Sequence, residues 1–240
     1  MRALHLSLLL LAALPSCLQM EQTVELRADG SGTQTVHMDV GVATLDKVQK
    51  ASAAAQLGAA ANPFAVFDKE LVGRELAAAG LELTKHETGK KAQRRTVDLQ
   101  ASFAKFSDLQ QSPLCGSSAE WVLAKGPKEG TAKLTLYLQG RQAWLEAREK
   151  AEKMKDEVDP VAVDFFNRRI REVAGLDVTF RMQVPGDVVL WTKNLDKTGP
   201  REVVAHVTAA DIRTPENLVR WLAPRFEVIF DAAGCKLPLE

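Results

Sequence analysis

Three cysteines and four histidines are all that this 240-residue chain can offer a metal or a thiol- or imidazole-based site. They stand apart: there is no Cys-x-x-Cys and no close histidine pair, so the ligand spacing of a zinc site is missing. A Gly-x-Ser-x-Gly elbow, a Walker loop, a dinucleotide fingerprint and a His-Glu-x-x-His helix are absent as well. No cofactor and no metal is expected. An excess of either charge is also lacking, since lysine plus arginine equals aspartate plus glutamate at 31 each. Nucleic-acid binding draws most of its affinity from phosphate neutralisation and normally leaves a basic surplus, so nucleic acid is not an expected partner. Beyond residue 17 no apolar run reaches the roughly 20 residues that cross a bilayer. Hydrophobic residues at 46% and charged residues at 26% fit a folded globular chain, neither disordered nor polytopic.

The one long apolar stretch opens the chain. Arg2 supplies a positive start, Ala3 to Leu14 an apolar core, and Pro15-Ser16 a short close before Cys17. That order is a secretory signal, too short for a spanning helix. Leu14-Pro15-Ser16-Cys17 resembles the lipobox of bacterial lipoprotein precursors. The resemblance implies cleavage after residue 16, diacylglyceryl transfer to the Cys17 sulfur and acyl chains such as palmitate at the new N-terminus. One acyl chain holds a protein to a membrane only marginally, whereas several hold it firmly. The expected division is a signal peptide over 1–16 and a single exported domain over 17–240. The 224 remaining residues carry one more negative than positive charge.

Val24 and Leu26 alternate with Thr23, Glu25 and Arg27, and Ala28 continues the apolar phase. Asp29-Gly30-Ser31-Gly32 intervenes, and Val36, Met38 and Val40 alternate with Thr35, His37 and Asp39. This predicts a hairpin with one buried face. A helix is expected from Thr44 to about Leu57. A second follows Asn62-Pro63 with Phe64, Phe67, Leu71, Leu76 and Ala79, stopping at Gly80. A second hairpin pairs Leu81 to Lys85 with Arg95 to Phe103 around Glu87-Thr88-Gly89-Lys90. A third pairs Trp121 to Ala124 with Lys133 to Leu138. Helices are predicted over Arg141 to Asp156 and Val158 to Val173, then strands over Asp177 to Val184, Val188 to Thr192, Glu202 to Ala209 and Arg225 to Phe230. A short helix over Pro215 to Leu222 is capped by Thr214. The class is therefore α+β: a largely antiparallel sheet built from hairpins, with helical insertions packed on one face.

Candidate chemistry is sparse. Lys90, Lys91, Arg94 and Arg95 read as a solvated hairpin tip, with a phosphate site as the sharper alternative. His37, His86 and His206 all fall at exposed positions, His86 at a turn. Ser31 lies in a glycine turn. Glu146/Glu149 and Asp156/Glu157 read as helix-surface networks rather than a glycosidase dyad. Cys115 and Cys235, 120 residues apart, form either one disulfide of an exported protein or two separate buried thiols. Tryptophans 121, 144, 191 and 221 with nine phenylalanines form either a filled core or the wall of an apolar cavity between sheet and helices.

Three features together resemble the mycobacterial LppM-type domain: a lipobox cysteine running into a first strand, the strand-Asp-Gly-Ser-Gly-strand hairpin of Val24 to Val40, and Val184-Pro185-Gly186-Asp187-Val188-Val189 before a strand. The resemblance implies an α+β, partly barrel-like domain that binds lipid or glycolipid, and it carries over no catalytic residue. The expected function is that of a non-enzymatic lipoprotein of the cell envelope. It would be anchored in the membrane through Cys17, face the periplasm or cell exterior, and bind a lipid-like ligand or an envelope partner protein. A structural or assembly subunit of the envelope and a hydrolase without a recognisable motif are the alternatives.

Overall fold

The computed structural model describes residues 18–46, 65–116, 118–154, 175–212 and 214–239. The expected signal peptide, Cys17, most of the helix expected up to Leu57 and the whole of that expected from Val158 to Val173 lie outside the described residues.

The chain opens with the predicted hairpin. Strand β1, Leu18–Leu26, pairs antiparallel with β2, Gly32–Gly41. Val24, Leu26, Val36, Met38 and Val40 are buried, while Glu21, Thr35 and His37 face out. Ala28 departs from the expected alternation, because the strand ends at Leu26 and the turn exposes it. A 3-10 turn at Ala65–Phe67 leads to helix α1, Lys69–Ala78. Asp68 caps α1 by accepting a hydrogen bond from the Leu71 amide at 3.0 Å. Gly80, at φ +82°, ends it in a left-handed conformation that costs glycine nothing.

Strands β3, Leu81–Lys91, and β4, Arg94–Phe103, form the second hairpin. Its turn is Ala92-Gln93, not Glu87-Thr88-Gly89-Lys90. The polar end of β3 pairs regularly with β4 through Lys91↔Arg94, so backbone pairing continues where no apolar alternation marks it. Helix α2, Phe106–Gln110, and a 3-10 turn at Pro113–Cys115 precede β5, Glu120–Lys125, and β6, Thr131–Tyr137. Helix α3 covers Gly140–Met154. The last third holds β7, Asp177–Gln183, β8, Val188–Trp191, β9, Asp196–Gly199, and β10, Glu202–Thr208. It closes with α4, Pro215–Leu222, and β11, Arg225–Asp231. Thr214 caps α4 as expected, its hydroxyl accepting from the Asn217 amide at 3.1 Å.

The class is α+β, with the strands in two sheets. Seven form one sheet in the order β3-β4-β2-β1-β7-β10-β9, and four form another in the order β5-β6-β11-β8. Every ladder among the described residues is antiparallel except β1 with β7. The large sheet is covered on its inner face by the second sheet as well as by helices, so helical insertions alone do not build the opposing layer. Phe180 of β7 stacks on Phe226 of β11 at 5.3 Å between ring centres and meets Trp121 of β5 at 6.3 Å. Leu99, Leu123, Leu134, Val228 and Phe230 fill the same continuous core at 1% exposure or less. Each such side chain contributes about 1.5–3 kcal/mol by leaving water. Trp121, Phe180 and Phe226 thus belong to a filled interior, whereas Trp191 stands exposed and belongs to neither a core nor a cavity wall.

Gly186 sets a close approach between two chain segments. A Cβ there would lie 1.7 Å from the carbonyl oxygen of Asp231, while the Asp231 amide bonds to the Asp187 carbonyl at 2.9 Å. Gly186→Ala therefore forces β8 away from the end of β11. It should lower unfolding stability by about 1–3 kcal/mol, the usual cost of overpacking. Chemical denaturation tests this, and an unchanged midpoint would contradict the packing described.

Candidate functional site

The parallel pair ends in a groove. The chain leaves β1 through the Asp29-Gly30-Ser31-Gly32 turn and leaves β7 through Val184-Pro185-Gly186-Asp187. Residues 25–28 leading into the first turn and residues 183–185 at the start of the second, together with residues 199–202 before and at the start of β10, border an open groove of about 550 Å³. The two turn motifs singled out in the sequence thus lie at the same end of the large sheet, where Glu25 stands in register with Gln183. The groove is lined by Glu25, Arg27, Gln183, Pro185, Arg201 and Glu202 among others, and its polar groups are engaged with one another or with side chains just behind them. Glu202 accepts from Thr198 Oγ1 at 2.5 Å, Arg181 Nη1 at 2.6 Å and Gln183 Nε2 at 2.9 Å. The Thr198 hydroxyl is the largest influence holding the Glu202 carboxyl below its ordinary range, with Gln183 and Arg181 adding to it against partial burial. Arg201 leans on Asp187 at 3.4 Å and Arg27 on Glu25 at 3.5 Å, both at the solvent boundary. An ionised, hydrogen-bonded carboxylate and two rim guanidiniums suit binding a polar group better than moving a proton.

Ser31 is a turn residue. Its hydroxyl donates to Asp29 Oδ1 at 2.7 Å and its amide to the same oxygen at 3.0 Å, forming an Asx turn, and the hydroxyl bond holds the Asp29 carboxyl below its ordinary range.

The three histidines are separated. His37 Nδ1 lies 2.8 Å from Asp98 Oδ1, and His206 Nε2 lies 3.0 Å from Asp177 Oδ1, both on the exposed outer face of the large sheet. His86 is corrected on two counts: it lies within β3, not at a turn, and it is half-buried with Nε2 2.9 Å from the Val66 carbonyl. Among the described residues no group of three His, Cys, Asp or Glu side chains is placed to hold a metal.

The basic hairpin tip does not converge on a ligand. Arg94 binds Asp39 at 2.7 Å, and Arg95 stacks over Phe67 at 4.8 Å. Glu149 pairs with Lys153 at 2.7 Å and Glu146 with Gln142 at 3.1 Å, the helix-surface network expected. Asp156 and Glu157 lie outside the described residues.

Cys115 and Cys235 are both free thiols, so of their two readings the disulfide is set aside. Cys115 is sealed in the interior, whereas Cys235 is partly exposed in the C-terminal segment, where the Lys236 amide donates to the Ala28 carbonyl at 2.7 Å. Around Cys115 lies a polar cluster that hydrophobic alternation hides. Gln22 and Gln34 occupy inward positions of β1 and β2, and both donate Nε2 to the Cys115 sulfur at 3.2 Å. The Ser112 hydroxyl donates to Gln34 Oε1 at 2.5 Å. The buried Trp121 indole N–H forms no hydrogen bond of its own, yet it lies close enough to favour negative charge on the sulfur. Burial outweighs all three donors and pushes the thiol up to about 12. A protonated, enclosed thiol is a structural group.

Two measurements follow from these environments. In the native chain carrying Cys17→Ser, iodoacetamide at mildly alkaline pH should label Cys235 and spare Cys115 until denaturant is added; comparable native labelling of both would contradict the sealed thiol. Glu202→Gln should be less stable than the parent by about 0.5–1.5 kcal/mol at neutral pH, the worth of one net hydrogen bond, because the glutamine amide keeps part of the network. Because the folded-state value of Glu202 is depressed, its contribution is present above the unfolded-state value and lost as pH falls through the folded one. Denaturation at several pH values should show the gap closing in acid, and a pH-independent gap would contradict it.

No family model matches the chain, and no curated protein matches it in sequence. Among solved structures, the folded domain of the LppM protein of Mycobacterium tuberculosis, determined by NMR, is similar over 91% of this chain and 91% of that one. The identity is 9% and the TM-score 0.43, a likeness that carries no argument about function.

Proposed function

We propose that the chain is a membrane-tethered, non-enzymatic lipoprotein of the cell envelope that works by binding at its surface, facing the periplasm or cell exterior. The observation that carries this reading is a run of three consecutive exposed apolar side chains, Val189, Leu190 and Trp191, on an edge strand. Soluble domains rarely leave such side chains together in water without a use for them. The interior between the sheets is taken up by Phe180, Phe226 and Trp121, which moves a lipid-like ligand or an envelope partner from a cavity to the outside of the domain. The ion-paired carboxylates of the groove favour binding over acid–base catalysis.

The tether comes from Leu14-Pro15-Ser16-Cys17, and the fold is compatible with it. Strand β1 begins at Leu18, the residue after Cys17, and Leu18 is buried against the core. No helix among the described residues is long and apolar enough to cross a membrane. Lipid on Cys17 would join the end of the central strand directly, with no linker between them.

Membrane fractionation tests the tether. The parent should sediment with membranes and resist a high-salt wash, because several acyl chains hold by apolar burial rather than charge. Cys17→Ser should leave the membrane fraction. Identical fractionation of the two would contradict the proposal.

A further inference from the structure

We infer that Arg148 and Arg225, gathered on the Trp144 indole, form a binding site for a phosphate monoester. This deepens the reading of the chain as a lipoprotein that binds at its surface, by naming a ligand class, and rests on that reading.

Arg141, Trp144 and Arg148 follow one another at helical spacing and so share one face of α3. That face meets the start of β11, where Arg225 stands in register with Tyr137 of β6, and Tyr137 with Glu120 of β5. Tyr137 is buried, and its ring centre lies 5.6 Å from that of Trp144. The guanidinium carbon of Arg225 stands 4.6 Å from the centre of the Trp144 ring and that of Arg148 stands 5.9 Å from it. Arg141 lies 5.3 Å from the centre of the Tyr137 ring. Three cations from one helix and one strand therefore border two adjoining aromatic rings. Asn194 Nδ2 donates to the Arg225 carbonyl at 3.0 Å and fixes the start of β11, so Arg225 is placed before any ligand arrives.

The three cations are not equally matched. Glu120 holds Arg141, with one carboxylate oxygen 3.2 Å from Nη2 and the other accepting from the Arg141 amide at 2.9 Å. The remaining carboxylates of α3 are engaged elsewhere: Glu146 with Gln142 at 3.1 Å, Glu149 with Lys153 at 2.7 Å and Glu152 with Arg220 at 2.9 Å. Glu227, next outward on β11, accepts from Thr135 at 3.2 Å. Among the described residues neither Arg148 nor Arg225 has a carboxylate partner, although Arg225 is half-buried. Arginines drawn out of water are ordinarily matched by an acid. The indole offsets part of the repulsion between these two, because its quadrupole attracts each cation, but its face supplies no conventional acceptor for their N–H groups. A guanidinium fork matches a pair of phosphate oxygens, and a phosphate monoester carries about −1.5 to −2 charges at neutral pH, close to the sum of two unmatched cations. A lone carboxylate satisfies only one of them.

The experiment titrates the full chain carrying Cys17→Ser with glycerol phosphate by calorimetry at constant ionic strength, and measures its cosedimentation with phosphatidylcholine vesicles containing phosphatidic acid. Glycerol phosphate should bind saturably near neutral pH. Its affinity should fall about fourfold at roughly pH 5.5, where most of the ester has lost its second charge. Acetate should bind about tenfold more weakly than the ester. Arg148→Gln/Arg225→Gln should weaken binding about tenfold or more. Lys90→Gln/Lys91→Gln, which removes the same charge from the tip of the second hairpin, should bind as the parent does. If the arginine pair proves necessary for the fold and its loss lowers the melting temperature, Arg148→Gln alone, on the exposed side of α3, carries the comparison with a loss of about threefold or more. Vesicle binding without glycerol phosphate binding makes the phosphate a lipid headgroup, and the reverse makes it a soluble ester; either supports the site when the arginines are required. Unchanged binding in the arginine variants, an equal loss in the Lys90/Lys91 variant, or acetate bound as tightly as the ester overturns the proposal. If neither phosphate binds while the lipidated parent still fractionates with membranes, the site fails and the tether stands.

Discussion

Strand β1 is clamped on both sides, and the rest of the large sheet depends on that double pairing. On one side β2 arrives through a tight hairpin. On the other, β7 runs parallel to β1 in the ladder from Gln19↔Asp177 to Glu25↔Gln183. Arg181 reinforces this second seam, reaching Glu21 of β1 at 3.4 Å and Glu202 of β10 at 2.6 Å. The hairpin forms locally, whereas the parallel ladder closes a loop of most of the chain and bears its entropy cost. Its formation brings β10 and β9 into the sheet and sets the Asp-Gly-Ser-Gly and Val-Pro-Gly-Asp turns at one end of it, where residues 25–28, 183–185 and 199–202 line the groove.

The two faces of the large sheet follow from the alternation of its strands and have opposite characters. Inward, aliphatic and aromatic side chains meet the second sheet in a filled core, interrupted by one polar cluster: Gln22, Gln34, Ser112 and Cys115. Burying two amides and a hydroxyl is tolerated there because they satisfy one another and the Cys115 sulfur, and such mutual satisfaction fixes the register of β1 against β2. Outward, the face is polar and acidic, crossed by the His37–Asp98 and His206–Asp177 contacts. The apolar surface left in water is concentrated on β8, in the other sheet.

Most elements were readable in the sequence because apolar residues alternate along them. Val24 to Val40, Val97 to Phe103, Leu134 to Leu136 and Phe226 to Phe230 each mark an inner face, and Thr214-Pro215 marks the start of the last helix. Strand β9 was missed because Asp196-Lys197-Thr198-Gly199 is an edge strand with no apolar phase, held by backbone pairing to β10. The second hairpin turn was misplaced for the same reason. The split into two sheets and the β1–β7 partnership rest on contacts between distant segments that periodicity cannot encode. At the candidate sites, the two turn motifs were visible but their placement at the same end of the large sheet was not. Gln22 and Gln34 break the expected pattern by placing amides at inward positions; a polar residue in an inward phase is the signal that would have revealed the Cys115 cluster.

The proposed surface role of this domain depends on the proposed tether. The proposal makes Cys17 the first, lipid-bearing residue of the mature protein, immediately before the strand that begins at Leu18. Mass spectrometry of the N-terminal peptide from membrane-extracted protein tests this most directly. The predicted result is a peptide beginning at Cys17 and carrying the mass of a diacylglyceryl group with or without a further acyl chain. An N-terminus elsewhere, or an unmodified Cys17 thiol, would contradict it.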